Sequence, residues 1–390
     1  MVVVDIRNFF TIRNVELIEI NYDTIYYAEE KNEEGHNNLF VLEYNRETRR
    51  ERIIANYSLD DPTFVQHLFS FEEEIILLLE NSGGVVWVFR LNKRTGEETA
   101  REKLNCIGDF CGCAAVDSRH LILFTEQNEE CRDLFLEYKK VTGLNRIAYL
   151  HDIDEGEKYF IKDERVCRHT GECIHPYQAS RGAMLLLCDP YGDEAFKRRC
   201  YDQQRWISAP INDSLWVMER RVFLEEIKRG APQLSMKCIA AAGIEGMARY
   251  IGMDAGSVYF RATHFPSGRA TICTYDKEDG RIKAAAELLA EECGECRVTP
   301  SPPKAFFLKD TGHGISVKGL LGSAIDQSYD KKLGDFLGCV EDRFIITRKV
   351  MTDELGHYSF EYTTIFDTKK GTEESFECKG RISGNTLVLY

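Results

Sequence analysis

Proline is scarce in this sequence, nine among 390 residues, and tryptophan scarcer still at three. So few prolines, with no low-complexity run, exclude a long disordered or polyproline segment. No stretch approaches the roughly 18 consecutive apolar residues that a membrane-spanning helix requires. The N-terminus, MVVVDIRNFF, lacks the basic leader, long apolar run and small-residue cleavage site of an export signal. Basic residues are in deficit: 50 Lys and Arg against 64 Asp and Glu give a formal charge of −14. A surface of that sign repels phosphate backbones, so neither a nucleic acid nor a membrane is expected as a partner. The phrases GxSxG and the P-loop are missing, and GHGISVKG (312–319) lacks the spacing and strand-to-helix context of a dinucleotide loop.

Aromatic and β-branched residues are plentiful, with 22 Phe and 18 Tyr beside many Val, Ile and Thr, a balance that favours strands. The 14 cysteines do not form a disulfide framework in sequence. Cys188 in MLLLCD, Cys273 in TICTY and Cys339 in FLGCV sit inside apolar runs, as small buried hydrophobes of a reducing compartment do. The expected location is cytoplasmic.

Two phrases recur. The first is a polar turn followed by a short apolar run: YDTIYYA (22–28), FEEEIILLL (71–79), VDSRHLILF (116–124), SRGAMLLL (180–187), NDSLWVM (212–218), MDAGSVYF (253–260), VEDRFIIT (340–347) and ISGNTLVLY (382–390). Runs of that length between turn residues predict strands buried on both faces, since helices so short are unstable. The second is a strand ending in an aromatic or leucine before a polar turn, often with glycine: LFVLEYNRET (39–48), WVFRLNKRTG (87–96), LFLEYKKVTG (134–143), TICTYDKEDG (271–280) and TTIFDTKKG (363–371), with weaker copies at EEIKRGA (225–231) and SYDKKLG (328–334). Tyr44 to Leu91 and Leu91 to Tyr138 are each 47 residues, Tyr138 to Tyr275 is 137, and Tyr275 to Phe366 is 91. A period in the forties with several strands per unit predicts a β-propeller of four-stranded antiparallel blades.

The first phrase is read as the second strand of a blade and the second as the outer hairpin. VELIEI (15–20), CGCAAV (111–116) and GMARYI (246–251) are read as innermost strands. The count favours seven blades, with eight as the alternative, in a ring closed by pairing MVVVDI (1–6) with the final TLVLY (386–390). A single propeller domain, 1–390, is expected, with irregular insertions near 151–177 and 288–335. Within the latter, AAAELLAEE (284–292) reads as helical and SPP (301–303) as an interruption.

The hairpin endings YDKEDG and FDTKKG resemble the blades of quinoprotein-type and surface-layer-type propellers over about five proposed blades. The Trp-containing blade end of the quinoprotein signature is missing, as are Trp-Asp dipeptides. What the resemblance implies is a fold and no activity.

Three groups of side chains could carry chemistry. Asp23, Asp117, Asp213, Asp254 and Asp342, with Glu73, fall in turns between inner and second strands; with His120 they would line one mouth of an axial channel. There they could bind a cation or basic peptide, or work on a sugar, although Asp also favours turns because it bonds nearby backbone N–H groups. Cys167, His169, Cys173 and His175 in CRHTGECIH form a zinc-type ligand set, but their spacing is not that of a finger or ribbon. Zinc or another divalent cation is therefore possible there, and none is required. ECGEC (292–296) is a lone CxxC among carboxylates that disfavour a thiolate. No recognised catalytic set emerges, so the sequence favours a non-enzymatic binding or protein-interaction module with a protein or small-molecule ligand. The alternative is a propeller hydrolase or lyase acting on a small molecule or glycan through Asp, Glu and His.

Overall fold

The computed structural model describes residues 1–6, 14–20, 24–33, 36–59, 63–81, 83–144, 146–167, 174–189, 214–240, 246–254, 256–264, 270–288, 295–299, 304–352 and 359–390. Among the described residues, seven four-stranded sheets follow one another along the chain, spanning 14–59, 63–104, 109–160, 174–240, 246–288, 295–330 and 335–377. In each, the strands lie in sequence order, first to fourth, and the assigned registers are antiparallel. An eighth sheet has three strands: Gly380–Ser383 pairs antiparallel with Thr386–Leu389, which pairs in parallel with Val2–Asp5, Val2 standing opposite Thr386. The two ends of the chain thus share a sheet. This is an all-β protein of four-stranded antiparallel blades, the architecture of the β-propeller class.

The strands fall into two compact units, residues 14–249 and residues 1–13 with 250–390. In the first unit, the strand Glu74–Asn81 explains why its sequence is apolar without alternation. Ile75, Leu77 and Leu79 face a core shared with the first sheet, including Leu39 and Val41. Ile76 and Leu78 face a core shared with the third and fourth sheets, including Phe124, Tyr149 and Leu185. Side chains alternate across a strand, so a strand sandwiched between two sheets must be apolar at every position. Burying those five side chains contributes on the order of 10 kcal/mol gross, before conformational entropy is charged against it. The second unit repeats the device: Phe306 and Leu308 pack toward the seventh sheet, whereas Phe307 packs toward the fifth.

In the second, third, fifth and seventh sheets the turns joining third to fourth strands are built alike. Asn92, Asp152, Asp276 and Asp367 each accept, at Oδ1, the backbone N–H groups two and three residues on. The glycine four residues on (Gly96, Gly156, Gly280 or Gly371) returns its N–H to the carbonyl of that same Asn or Asp. Those glycines hold φ between 66° and 74°, which a side chain resists. The residue after the Asn or Asp (Lys93, Ile153, Lys277 or Thr368) donates its N–H to the turn between first and second strands, at the carbonyl of Glu73, Arg119, Gly256 or Arg343. The first sheet has the same turn from Asn45, but Arg49 stands where the others carry glycine, at φ 56°. Arg49→Gly is expected to raise stability by about 0.5–1 kcal/mol, read as a higher urea midpoint at unchanged slope.

Some segments fold differently from their sequence reading. LFLEYKKVTG is no hairpin: Arg132–Thr142 is a helix, α1, capped by Gly143 in the left-handed region and burying Phe135, Tyr138 and Thr142 on one face. Its charged exposed positions mimic a polar turn, while the true turn of that sheet is DIDEG (152–156). A second short helix, α2, covers Glu164–Cys167. EEIKRGA lies in and just beyond a third, α3 (Arg220–Lys228), which buries Phe223, Glu226 and Ile227. NDSLWVM leads into the third strand of its sheet, Ser214–Glu219, and not into a second strand. The alanine-rich AAAELLAEE begins inside a strand, Ile282–Leu288, because its neighbour Ala270–Asp276 offers a ladder that outweighs helix propensity. The stretch 288–335, read as an irregular insertion, carries the four strands of the sixth sheet; its second strand, Lys304–Asp310, has no counterpart among the recurring phrases. No described helix is long and apolar enough to cross a membrane.

Candidate functional site

The densest polar cluster lies on the third sheet, in the unit 14–249. The turn after its first strand carries Asp117, Arg119 and His120; the turn after its third strand begins with Asp152; and α3 contributes Arg220 and Lys228. Asp117 Oδ1 accepts the backbone N–H groups of Arg119 and His120 and stands 2.9 Å from His120 Nδ1. The other ring nitrogen, Nε2, is 3.4 Å from Asp152 Oδ2. Nε2 makes no hydrogen bond at that distance, so its contact with Asp152 is electrostatic.

Asp152 is fully buried and its neighbours are cations. Arg119 grips it with two hydrogen bonds, Nε to Oδ1 at 2.7 Å and Nη2 to Oδ2 at 2.8 Å, and Lys228 Nζ reaches Oδ2 at 3.3 Å. Burial pushes this carboxyl up, but the hydrogen bonds from Arg119 and Lys228 and the charges of His120 and Arg119 outweigh it. The carboxyl is held well below the usual carboxylate range. Asp117 shows the same balance: burial raises it, and the His120 side chain with two backbone N–H groups brings it down. Both carboxylates are therefore fixed anions, poor proton donors near neutral pH.

Part of this arrangement belongs to the scaffold. In the seventh sheet Arg343 grips Asp367 with the same pair of bonds, Nε to Oδ1 at 2.9 Å and Nη2 to Oδ2 at 2.6 Å. Arg343 occupies in VEDRF the place of Arg119 in VDSRH, so the Arg–Asp bridge ties the two turns of a blade together wherever it occurs. Phe344 fills the place of His120 there. The histidine, its second carboxylate and the cations of α3 are what set the third sheet apart.

The remaining predicted residues are scattered. Asp254 Oδ1 accepts the N–H groups of Gly256 and Ser257, and its Oδ2 accepts the Tyr259 hydroxyl at 3.1 Å. Asp342 accepts the Ser323 hydroxyl at 2.5 Å and the Ala324 N–H at 3.1 Å; burial raises its carboxyl and these two bonds lower it further. Of the predicted carboxylates and histidine that are described, only Asp117 and His120 touch one another. Asp23 and Asp213 lie outside the described residues.

Of the predicted zinc set, His169 and Cys173 lie outside the described residues. Cys167 ends α2 inside the core, its thiol donating to the Ile161 carbonyl at 3.1 Å and standing 2.9 Å from the Tyr138 hydroxyl. Burial pushes that thiol up to about 12. His175 lies on the strand Ile174–Ala179, where burial lowers its imidazole to about 4. Among the described residues no three His, Cys, Asp or Glu side chains gather as a metal would need. Cys106, Cys111, Cys113, Cys131, Cys167, Cys238, Cys273 and Cys339 are free thiols.

Nothing in the sequence reading marks Arg119, Asp152 or Lys228, and Arg220, which with Arg221 reads as a basic doublet on a solvated strand face, instead opens α3. A signal for Asp152 exists: DIDEG has the same Asp-to-Gly spacing as DKEDG and DTKKG.

No protein-family profile matches the chain, and no curated protein does. Solved structures that resemble it include a prolyl endopeptidase, at 8% identity and a TM-score of 0.47 over 93% of this chain. This chain spans 49% of that one, about half its length. Others are the β-propeller domain of the Trilobed protease from Pyrococcus furiosus (9% identity, TM-score 0.43, 93% of this chain and 97% of that one) and an oligogalacturonate lyase in complex with manganese (13%, 0.40, 93% and 74%). Likeness at this level carries no activity across, and the chain's own strands define it as an all-β protein of propeller-type blades.

Proposed function

We propose that this chain is a non-enzymatic interaction module that holds a protein partner on a rigid β scaffold. The observation that supports it is a projecting ribbon in the unit 1–13 and 250–390. In the seventh sheet, the second strand (Phe344–Thr352) and third strand (Ser359–Asp367) pair along their whole length. The first strand reaches only to Arg348 and the fourth only to Tyr362. Residues 349–352 and 359–361 thus extend beyond the sheet as two strands alone. They expose Val350 (55%), Met351 (47%) and Phe360 (44%), with Met351 and Phe360 directly opposite each other. Elsewhere in these strands Ile345 and Ile346 are fully buried, so the exposure is local. Met351 and Phe360 on one face of the projecting ribbon, with Val350 on the other, are apolar surface for a partner to cover.

The carboxylates speak for the same reading. Asp117, Asp152 and Asp342 are held as anions by groups of their own chain, whereas an acid catalyst would need a raised carboxyl. The test is the double variant Met351→Glu/Phe360→Glu. Its stability is expected within about 0.5 kcal/mol of the native chain. Cross-linking in cells followed by mass spectrometry should show a protein retained by the native chain and reduced at least about tenfold in the variant, a change of roughly 1.4 kcal/mol. Equal recovery by both chains sinks the proposal. So does a turnover that His120→Gln abolishes, which would favour the hydrolase or lyase reading at the Asp117–His120–Asp152 cluster.

A further inference from the structure

The helix α1 is an addition to its blade. It joins the second and third strands of the third sheet, a connection that the second sheet makes between Asn81 and Val86 without a helix. Phe135, Tyr138 and Thr142 fasten one side of α1 to the core. The rest is exposed. Three of the ten large apolar side chains exposed among the described residues lie on this one helix: Leu134 (37%), Leu136 (46%) and Val141 (61%).

Spacing decides which of them share a face. Residues three, four and seven apart stack along a helix, so Leu134, Glu137 and Val141 form one stripe, with Asp133 and Lys140 beside it. All five are exposed. Arg132, Leu136 and Lys139 lie on the other side of the helix. The stripe carries its charges in order, Asp133 and Glu137 toward the N-terminal end and Lys140 toward the C-terminal end. The two carboxylates stand one turn apart and repel each other. Among the described residues Lys140 makes no ion pair with either.

We propose that α1 pairs antiparallel with α1 of a second copy of this chain, about a two-fold axis. With Leu134 of each copy opposite Val141 of the other, Lys140 stands level with the midpoint between Asp133 and Glu137 of the second copy. Each lysine then faces two carboxylates that repel each other in the single chain, and the apolar side chains at both ends of the stripe cover one another. A parallel pair would set acid against acid and lysine against lysine. A face that carries both signs in this order is matched by its own inverted copy, which selects a second chain as the occupant. Eleven residues rise only about 16 Å, so the contact is small and the association is weak and concentration-dependent. The helix belongs to the unit 14–249 and the pairing makes no use of the ribbon on the seventh sheet, so either proposal can fail alone.

Sedimentation equilibrium of the full chain from about 5 to about 500 μM brackets a weak dimer. The mass is expected to rise from the 44.8 kDa of one chain toward twice that value. Val141→Glu and Lys140→Glu are each expected to stay at the mass of one chain across the range, with an unchanged melting temperature. Asp133→Lys/Glu137→Lys should do the same alone. Mixed with Lys140→Glu it should restore the double mass, because every lysine of one chain then faces carboxylates of the other. The ribbon variant Met351→Glu/Phe360→Glu is expected to dimerise as the native chain does. A native chain at single mass throughout overturns the proposal, and so does a double mass that survives Lys140→Glu or is lost in the ribbon variant. A mixture of the two charge variants that stays at single mass overturns it as well.

Discussion

Replacing Asp152 with asparagine is expected to lower the stability of the unit 14–249 by about 2 kcal/mol, and replacing it with alanine by about 3 kcal/mol. Breaking a buried ion pair costs about 3–5 kcal/mol where both partners are dry, but Arg119 and Lys228 are about a third exposed, so water recovers part of the loss. The two variants differ for a local reason. Asparagine keeps the Oδ1 that caps the turn, as Asn92 does in the second sheet, and removes only the charge; alanine removes both. The pH dependence has a definite sign. The Asp152 carboxyl is held below its unfolded value of about 3.9, so the unfolded chain binds the proton more readily. Its contribution is complete above about pH 5 and is lost as the pH falls further. The gap between native chain and Asp152→Asn, measured by urea unfolding, should narrow as the pH falls below about 5. A gap that widens on acidification would contradict the assignment. Tryptophan fluorescence is a selective probe, because Trp87, Trp206 and Trp216 all belong to that unit's sequence.

Phe124→Ala is expected to cost more, about 4 kcal/mol. Phe124 is fully buried in the cluster that joins the second, third and fourth sheets, with Ile76 and Leu78 on one side and Leu185 and Leu187 on the other. Truncation loses the transfer energy of the ring and leaves a cavity that sheets held by their own ladders cannot close. The same fluorescence-detected urea unfolding should show a midpoint drop at unchanged slope. A loss below about 1 kcal/mol would mean that the sheets repack freely, contrary to a core that is tightly interlocked.

How much of this was legible follows from where each feature's information lies. The apolar runs at 75–79 and 121–124 are buried on both faces, and only a strand between two sheets asks for that pattern. Most of the predicted second strands are second strands for this reason. The hairpin endings were legible where the turn is self-contained: in NKRTG, DKEDG and DTKKG the Asn or Asp bonds N–H groups two and three residues on. Where a helix intervenes, counting failed. α1, inserted between the second and third strands of the third sheet, pushes the true turn to Asp152, while its own KKVTG ending falls on the 47-residue beat.

The sequence by itself determined the all-β class and the repeating strand-and-turn unit, because these rest on contacts between neighbours in sequence or on a pattern repeated many times; the pairing of the first strand with the last follows from the repeat architecture and not from any local contact. Only the tertiary structure decided that His120 lies between Asp117 and Asp152 and that Lys228 crosses 76 residues to reach that carboxylate. The physical reason is that such meetings depend on how far each inserted helix displaces the chain and on which sheet lies next, and no local spacing encodes either.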